Sequence, residues 1–358
     1  MDEFSIIAKY FRPLAAGFAG SLNLSDDAAI ISPPEGHELV ITKDAISQGI
    51  HFIGNESPDL IAGKALRVNL SDLAAMGATP LCYFLALMLP KNTPEDWLQK
   101  FAEGLKQTQQ EFAIYLAGGD TTSTNGSLSI SITAIGSVPK GSALRRRGAK
   151  IGDDIYVSGT LGDSALGLEL LLRHPRESGD LEQHGGSPEI PAQGGDDKYF
   201  INSYLTPQPR IKLGIALREI ASSAIDISDG LAQDLGHICT ASNAGAVIYA
   251  NQIPVSSLRG VALELKEEAD DAAIQQLDGT GLLRFARNDE LMSALTGGDD
   301  YELLFTAPPD KKAAIENLSK TLGLPLTCIG KITAGNSVQI LDETGKEIAI
   351  KKRGFSHF

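Results

Sequence analysis

Positive charge is in short supply along this 358-residue chain, where 31 Lys and Arg face 45 Asp and Glu for a formal charge of -14. Binding to a nucleic-acid backbone depends on clustered Lys and Arg, so no nucleic-acid partner is expected. Cysteine is equally sparse. The three present, Cys82, Cys239 and Cys328, are odd in number, far apart and without metal-type spacing. They read as buried or free thiols in a reducing compartment, neither a disulfide framework nor a zinc site. Long apolar runs are lacking: Leu81–Leu89 is the longest, too short to span a bilayer. The opening Met1-Asp-Glu-Phe is acidic where a secretory signal would be basic. A cytoplasmic soluble protein with no membrane partner is the expectation. No Walker-type Gly-Lys-Ser/Thr follows any glycine pair, and no Gly-x-Gly-x-x-Gly follows a strand, which excludes the common nucleotide loops.

What is present is an ordinary globular composition, 42% apolar and 21% charged, on a chain long enough for two domains. The stretch Asn69-Leu-Ser-Asp-Leu-Ala-Ala-Met-Gly-Ala-Thr-Pro80 reads as the end of a helix that starts near Pro58 and stops at Gly77, with Pro80 just beyond. Ala62, Leu66, Leu70, Leu73 and Gly77 make its packing face, and Asn69 and Asp72 share another. Strands are expected over Leu24–Ile31, Glu38–Asp44, Leu81–Leu89, Ile114–Thr122, Leu128–Ala134, Asp154–Ser158, Ala224–Gly230, Leu326–Ile332 and Val338–Leu341, with Gly297–Phe305 a glycine turn feeding another. Helices are expected over residues 3–11, Trp97–Gln110, Asp163–Leu172, Ile211–Ser222 and Asp234–Ser242. Alternation of strands and helices, with hairpin-like neighbours, gives an α+β or mixed α/β class. A boundary falls at Gly141–Lys150, dividing residues 1–140 from 141–358. Residues 174–198 and 266–288, rich in Gly, Pro and charge or without periodicity, read as surface insertions.

The acids fall in a regular way. Asp26 and Asp27, Asp44, Asp72, Asp120, Asp226 and Asp229, and Asp299 and Asp300 all lie at element ends or in glycine turns, with Gly118-Gly119 and Gly297-Gly298 read as such turns. Any one of them is ordinary turn or capping chemistry. Together, converging aspartates would repel one another unless cations neutralise them, and an all-oxygen donor set points to Mg²⁺. Gly118-Gly119-Asp120 and Gly297-Gly298-Asp299 let backbone amides approach a phosphate. Arg145–Arg147 is the positive cluster that could pair with phosphate oxygens. Nucleotide-dependent phosphoryl transfer is the chemistry this combination suits.

Five motifs in order, Asn69-Leu-Ser-Asp-Leu-Ala-Ala-Met-Gly-Ala, Gly118-Gly-Asp-Thr-Thr, Ile225-Asp-Ile-Ser-Asp-Gly-Leu, Gly297-Gly-Asp-Asp-Tyr-Glu-Leu and the terminal Gly354-Phe-Ser-His-Phe, resemble the thiamine-monophosphate kinase family. That family shares a fold group with aminoimidazole ribonucleotide synthetase and selenophosphate synthetase. The resemblance implies ATP-dependent phosphorylation of thiamine monophosphate to thiamine diphosphate. It implies an N-terminal ATP- and Mg²⁺-binding domain that builds a β-barrel with its twin in a homodimer, and a C-terminal α/β domain. Carried over by position, Asp27, Thr42, Lys43, Asp44, Asp72, Asp120, Asp226 and Asp229 would hold Mg²⁺. Gly119, Asp120, Arg146 and Ser228 would contact ATP, while His51, Asp299 and Phe355 would contact the substrate. No acid–base residue is implied, since Asp72, Asp120 and Arg146 would act by stabilising charge. The chain departs from the family pattern at Ser25, Lys43, Asp299 and Lys351-Lys352-Arg353. Another ATP-using enzyme of the fold group, or an inactive nucleotide- or thiamine-binding protein, is the alternative reading.

Overall fold

A computed structural model describes residues 3–173, 195–256, 291–350 and 354. The chain divides into two units, Met1–Leu144 with Gln208–Glu219, and Arg145–Pro207 with Ile220–Phe358. The first unit is therefore completed by a segment from far downstream, whereas a single cut at 140/141 was the expectation.

In the first unit, strands β1 (His37–Ser47), β2 (Thr79–Pro90), β3 (Tyr115–Thr124) and β4 (Ser129–Pro139) form one sheet in the order β1-β4-β2-β3. Strand β4 runs antiparallel to both neighbours. Strands β2 and β3 are parallel, which requires a crossover, and the Glu95–Phe112 helix supplies it. Among the described residues the sheet is open, with β1 and β3 as its edges. Against it lies the Pro58–Ala75 helix, buried on nearly every side because Ala62, Gly63, Ala65, Ala74 and Ala75 let neighbours come close. Gly77, at φ 67°, ends it as a left-handed terminator should. The downstream Ile211–Leu217 helix packs on that end: a Cβ on Gly214 would meet the Ala74 carbonyl at 1.9 Å. Arg218 then donates from Nε to the Gly77 carbonyl at 2.7 Å, meeting an acceptor the helix leaves over. That helix stops at Leu217, earlier than the Ser222 expected from sequence.

Two local expectations fail for identifiable reasons. Residues 25–34 are bends and coil, although an apolar strand was expected at Leu24–Ile31. Leu22, Asn23 and Leu24 all have φ between 52° and 56°, which turns the chain away from the sheet, while Ala29 and Ile31 pack on Cys82, Ala117 and Ile135 without pairing. Gly118-Gly119 is no turn but the middle of β3. A Cβ on Gly119 would lie 1.9 Å from the Leu85 carbonyl, so the glycine serves close strand approach beside a register shift at Tyr83/Phe84.

The second unit holds β5 (Asp154–Ser158), β6 (Ser223–Asp226), β7 (Gly245–Tyr249), β8 (Leu303–Ala307), β9 (Leu326–Thr333) and β10 (Val338–Leu341), in the order β10-β7-β9-β5-β8-β6. Among the described strands only the β7–β10 pair is parallel. Ile155, Val157, Ile225, Leu235, Ile238, Ile248, Leu304 and Ile329 form its core with the Leu231–Ser242 helix. Residues 195–198, expected to be irregular, open the Gly195–Leu205 helix, which packs on the Asp163–Arg173 helix through Gly167. The rest of the expected insertion at 174–198, all of that at 266–288, and Phe355 lie outside the described residues. Among the described residues no helix is long and apolar enough to cross a membrane. Cys82 and Cys239 are buried and unbridged, with burial pushing both thiols up to about 11.

Candidate active site

In the first unit, the two-residue period of β1 puts Thr42 and Asp44 on one face and Lys43 on the other. The Thr42–Asp44 face meets the Pro58–Ala75 helix. Thr42 Oγ1 donates to Asp72 Oδ2, and the Asp44 amide donates to Asn69 Oδ1 at 3.1 Å. Asn69 is 1% exposed and spends its own Nδ2 on the Ala65 carbonyl at 3.1 Å. It is thus a spacer that sets strand against helix. The carboxyls of Asp44 and Asp72 meet by a hydrogen bond, and loss of water plus the Asp72 charge push Asp44 up to about 7. Lys43 points away, with Nζ 3.5 Å from Thr133 Oγ1.

A second group in the same unit lines a cavity of about 450 Å³. Asp26, Asp27, Gly118, Gly119 and Asp120 form its polar wall, and Ile7, Phe11, Leu24, Phe84 and Leu116 its apolar wall. Following register across the sheet, Ala45 pairs with Ser131, Ser131 with Ala86, and Ala86 with Asp120. Asp44 and Asp120 therefore belong to adjoining rows at opposite edges, three strand spacings or about 14 Å apart along the sheet. His51 lies in the turn after β1, its Nδ1 accepting the Ser47 amide at 3.1 Å, so the neutral ring carries its proton on Nε2.

In the second unit, Asp226 ends β6 buried, and the loop that follows carries Ser228 and Asp229. Gln233 Nε2 donates to Asp229 Oδ2 at 2.8 Å. The Gly297-Gly298-Asp299 turn docks on that loop through Asp299 N–H to the Ser228 carbonyl at 2.9 Å. Asp299 and Tyr301 adopt φ of 69° and 50°, and the Tyr301 hydroxyl donates to Asp299 Oδ1 at 3.2 Å. Asp300, by contrast, turns inward. Its two oxygens accept the Gly162 amide at 3.0 and 2.9 Å, and desolvation pushes it well above the usual carboxylate range. Arg146 is exposed, and its carbonyl accepts from Ser242 Oγ at 3.4 Å. Ser242 is the last residue of the helix that Ser228 precedes, so some 18 Å of helix separate the Arg146 backbone from the Ser228 loop.

Comparison with known proteins decides among chemistries compatible with this geometry. The family AIR synthase related protein, N-terminal domain, matches residues 25–138, and its C-terminal domain counterpart matches residues 150–343. The thiamine-monophosphate kinase of Haemophilus influenzae is 41% identical over 362 residues, covering 100% of this chain and 98% of that one. The chain belongs to the thiamine-monophosphate kinase family. Among solved structures, the thiamine-monophosphate kinase from Stenotrophomonas maltophilia aligns with TM-score 0.73 at 40% identity, covering 91% of each chain. A structure described as AaThiL complexed with AMPPCP and TMP aligns with TM-score 0.71 at 27% identity, over 93% of this chain and 91% of that one. The mixed α/β two-domain architecture is that of this family. One residue at the site escaped sequence reading. Asp234, a helix-start acid by its position, is the buried support of the Ser228 loop; its one signal was a second acid five residues after Asp229.

Proposed function

We propose that this chain transfers the γ-phosphoryl group of ATP to the phosphate of thiamine monophosphate, giving thiamine diphosphate and ADP. The observation that carries the reading is the Asp44–Asp72 carboxyl pair, pressed together by an Asn69-set strand–helix contact at the expense of ionisation. Such a pair, with Thr42 beside it, is an oxygen donor set that suits Mg²⁺. Thr42, Asp44, Asp72, Asp27 and Asp120 would hold Mg²⁺ in the first unit, and Asp226 and Asp229 in the second. Lys43 would contribute through its backbone alone, since its side chain faces Thr133. Bound there, Mg²⁺ supplies the charge that lets two polyanions approach.

The chain's own groups do the rest. The apolar wall of the Phe84–Leu116 cavity suits a nucleotide base, and Gly119 and Asp120 border it where phosphates would lie. Ser228 and Arg146 take further phosphate oxygens. His51 meets the substrate phosphate, and Asp299 and Phe355 hold its cationic thiazolium and rings. No side chain is needed to remove a proton, because a phosphate monoester with a second pKa of about 6 is already a nucleophilic anion at neutral pH. Positioning and charge stabilisation then carry catalysis.

A homodimer belongs to the same reading. Both sheet edges, β1 and β3, lack a strand partner among the described residues, and Ile41 on β1 is 62% exposed. A twin sheet laid against them would close a barrel and bring the Asp44 edge of one chain towards the Asp120 edge of the other. A cytoplasmic location fits the family's substrates. The test is incubation of purified protein with Mg²⁺, ATP and thiamine monophosphate. Stoichiometric thiamine diphosphate and ADP are expected; nucleotide binding without diphosphate product would favour an inactive binding protein.

A further inference from the structure

The Leu231–Ser242 helix begins without a conventional cap. Its N-cap position is Gly230, at φ 120°, which has no side chain to accept a hydrogen bond. What the helix does hold from within its first turn is the loop that leads into it. Asp234, 2% exposed in the first turn, reaches back so that Oδ2 accepts the N–H groups of Ser228 at 3.1 Å, Asp229 at 3.1 Å and Gly230 at 3.2 Å. Three donors converging on one oxygen leave the backbone of three consecutive residues little freedom. The same loop is tied on its other side. Its Ser228 carbonyl accepts the Asp299 amide, and Ile227 exchanges backbone bonds with Tyr301 and Glu302, at 2.8 Å each. Gly298 is glycine for this reason, since a Cβ there would lie 2.6 Å from the Ser228 carbonyl.

We propose that Asp234 is a positioning residue for phosphoryl transfer, fixing the loop that presents Ser228 and Asp229 and, through the Ser228 carbonyl, the turn that presents Asp299. The inference rests on the reading of Ser228 and Asp229 as nucleotide- and metal-binding. A different role must be separated from it. Asp229, Asp234 and His237 place one ligand atom each within 4.8 Å of one another, so Asp234 would also fit a direct metal contact. The two roles differ in what they ask of the side chain. Holding amides needs a carbonyl-type oxygen, which Asn retains, whereas a metal contact needs the charge.

The experiment compares wild type, Asp234→Asn, Asp234→Ala and His237→Ala in steady-state turnover of ATP and thiamine monophosphate at varied Mg²⁺. The KM for ATP is the deciding quantity, because it does not depend on the fraction of chain that is folded. Asp234→Ala is expected to raise that KM roughly ten- to a hundredfold, the loss of charge-assisted hydrogen bonds, with Asp234→Asn recovering most of it. His237→Ala should leave the Mg²⁺ half-saturation unchanged. Wild-type KM values in both Asp234 variants would overturn the proposal. So would an Asn variant as impaired as Ala together with a matching Mg²⁺ defect in His237→Ala. Failure of the wild type itself to make product would instead count against the kinase reading.

Discussion

Replacing Asp72 by Asn should stabilise the metal-free protein at neutral pH while abolishing its activity. The Asp44 carboxyl is pushed up to about 7 in the fold, against an ordinary value of 3.8. A carboxyl raised by folding leaves stability intact below the unfolded value, near pH 4, and erodes it as pH rises through 7, because the unfolded chain then releases a proton that the native chain keeps. Three pH units correspond to about 4 kcal/mol. Desolvation is the larger cause and the Asp72 charge the smaller, so Asp72→Asn should return about 1 kcal/mol. For a domain of roughly 150 residues this is 2–4 °C in Tm. The assay is thermal melting in EDTA at pH 5 and pH 8. Wild type should lose more Tm between the two than the variant, and Mg²⁺ should raise the wild-type Tm at pH 8 far more than the variant's. Turnover should drop about a hundredfold or more, the scale of removing preorganised charge stabilisation. A variant that melts below wild type at pH 8 in EDTA, or that keeps turnover within threefold, would refute the reasoning.

Three further substitutions probe other links. Gly119→Ala places a methyl 1.9 Å from the Leu85 carbonyl and should cost about 2–3 kcal/mol in urea unfolding, with nucleotide binding weakened in parallel. Lys43→Thr should change kcat/KM by less than about twofold, since the side chain lies on the far face of β1; a larger gain would assign the position's hydroxyl to the metal. Arg218→Ala leaves the Gly77 carbonyl without its donor and should lower stability by about 1–2 kcal/mol, read from the denaturant midpoint.

Local chemistry was legible in the sequence. Gly77 and Pro80 mark a helix end by backbone sterics, and alternation marks β1, so the sequence places Asn69 and Asp72 on a helix and Asp44 on a strand. The ordered motifs around Asp72, Asp120, Asp229 and Asp299 carried the family, because each binds side chains to a neighbouring glycine or turn. Gly118-Gly119 misled for the same reason: a glycine pair permits a turn and a close strand approach equally, and only the Leu85 carbonyl chooses between them. Nor does periodicity reach across the chain. That Asp44 meets Asp72, that Gln208–Glu219 returns to seal the end of the central helix, and that Asp234 gathers three amides are decided by packing. Sequence alone settled which groups bear charge and on which elements they ride. Tertiary structure decided which charges are forced together and which are spread along a sheet, because burial and distance set the cost of ionisation and no local pattern encodes either.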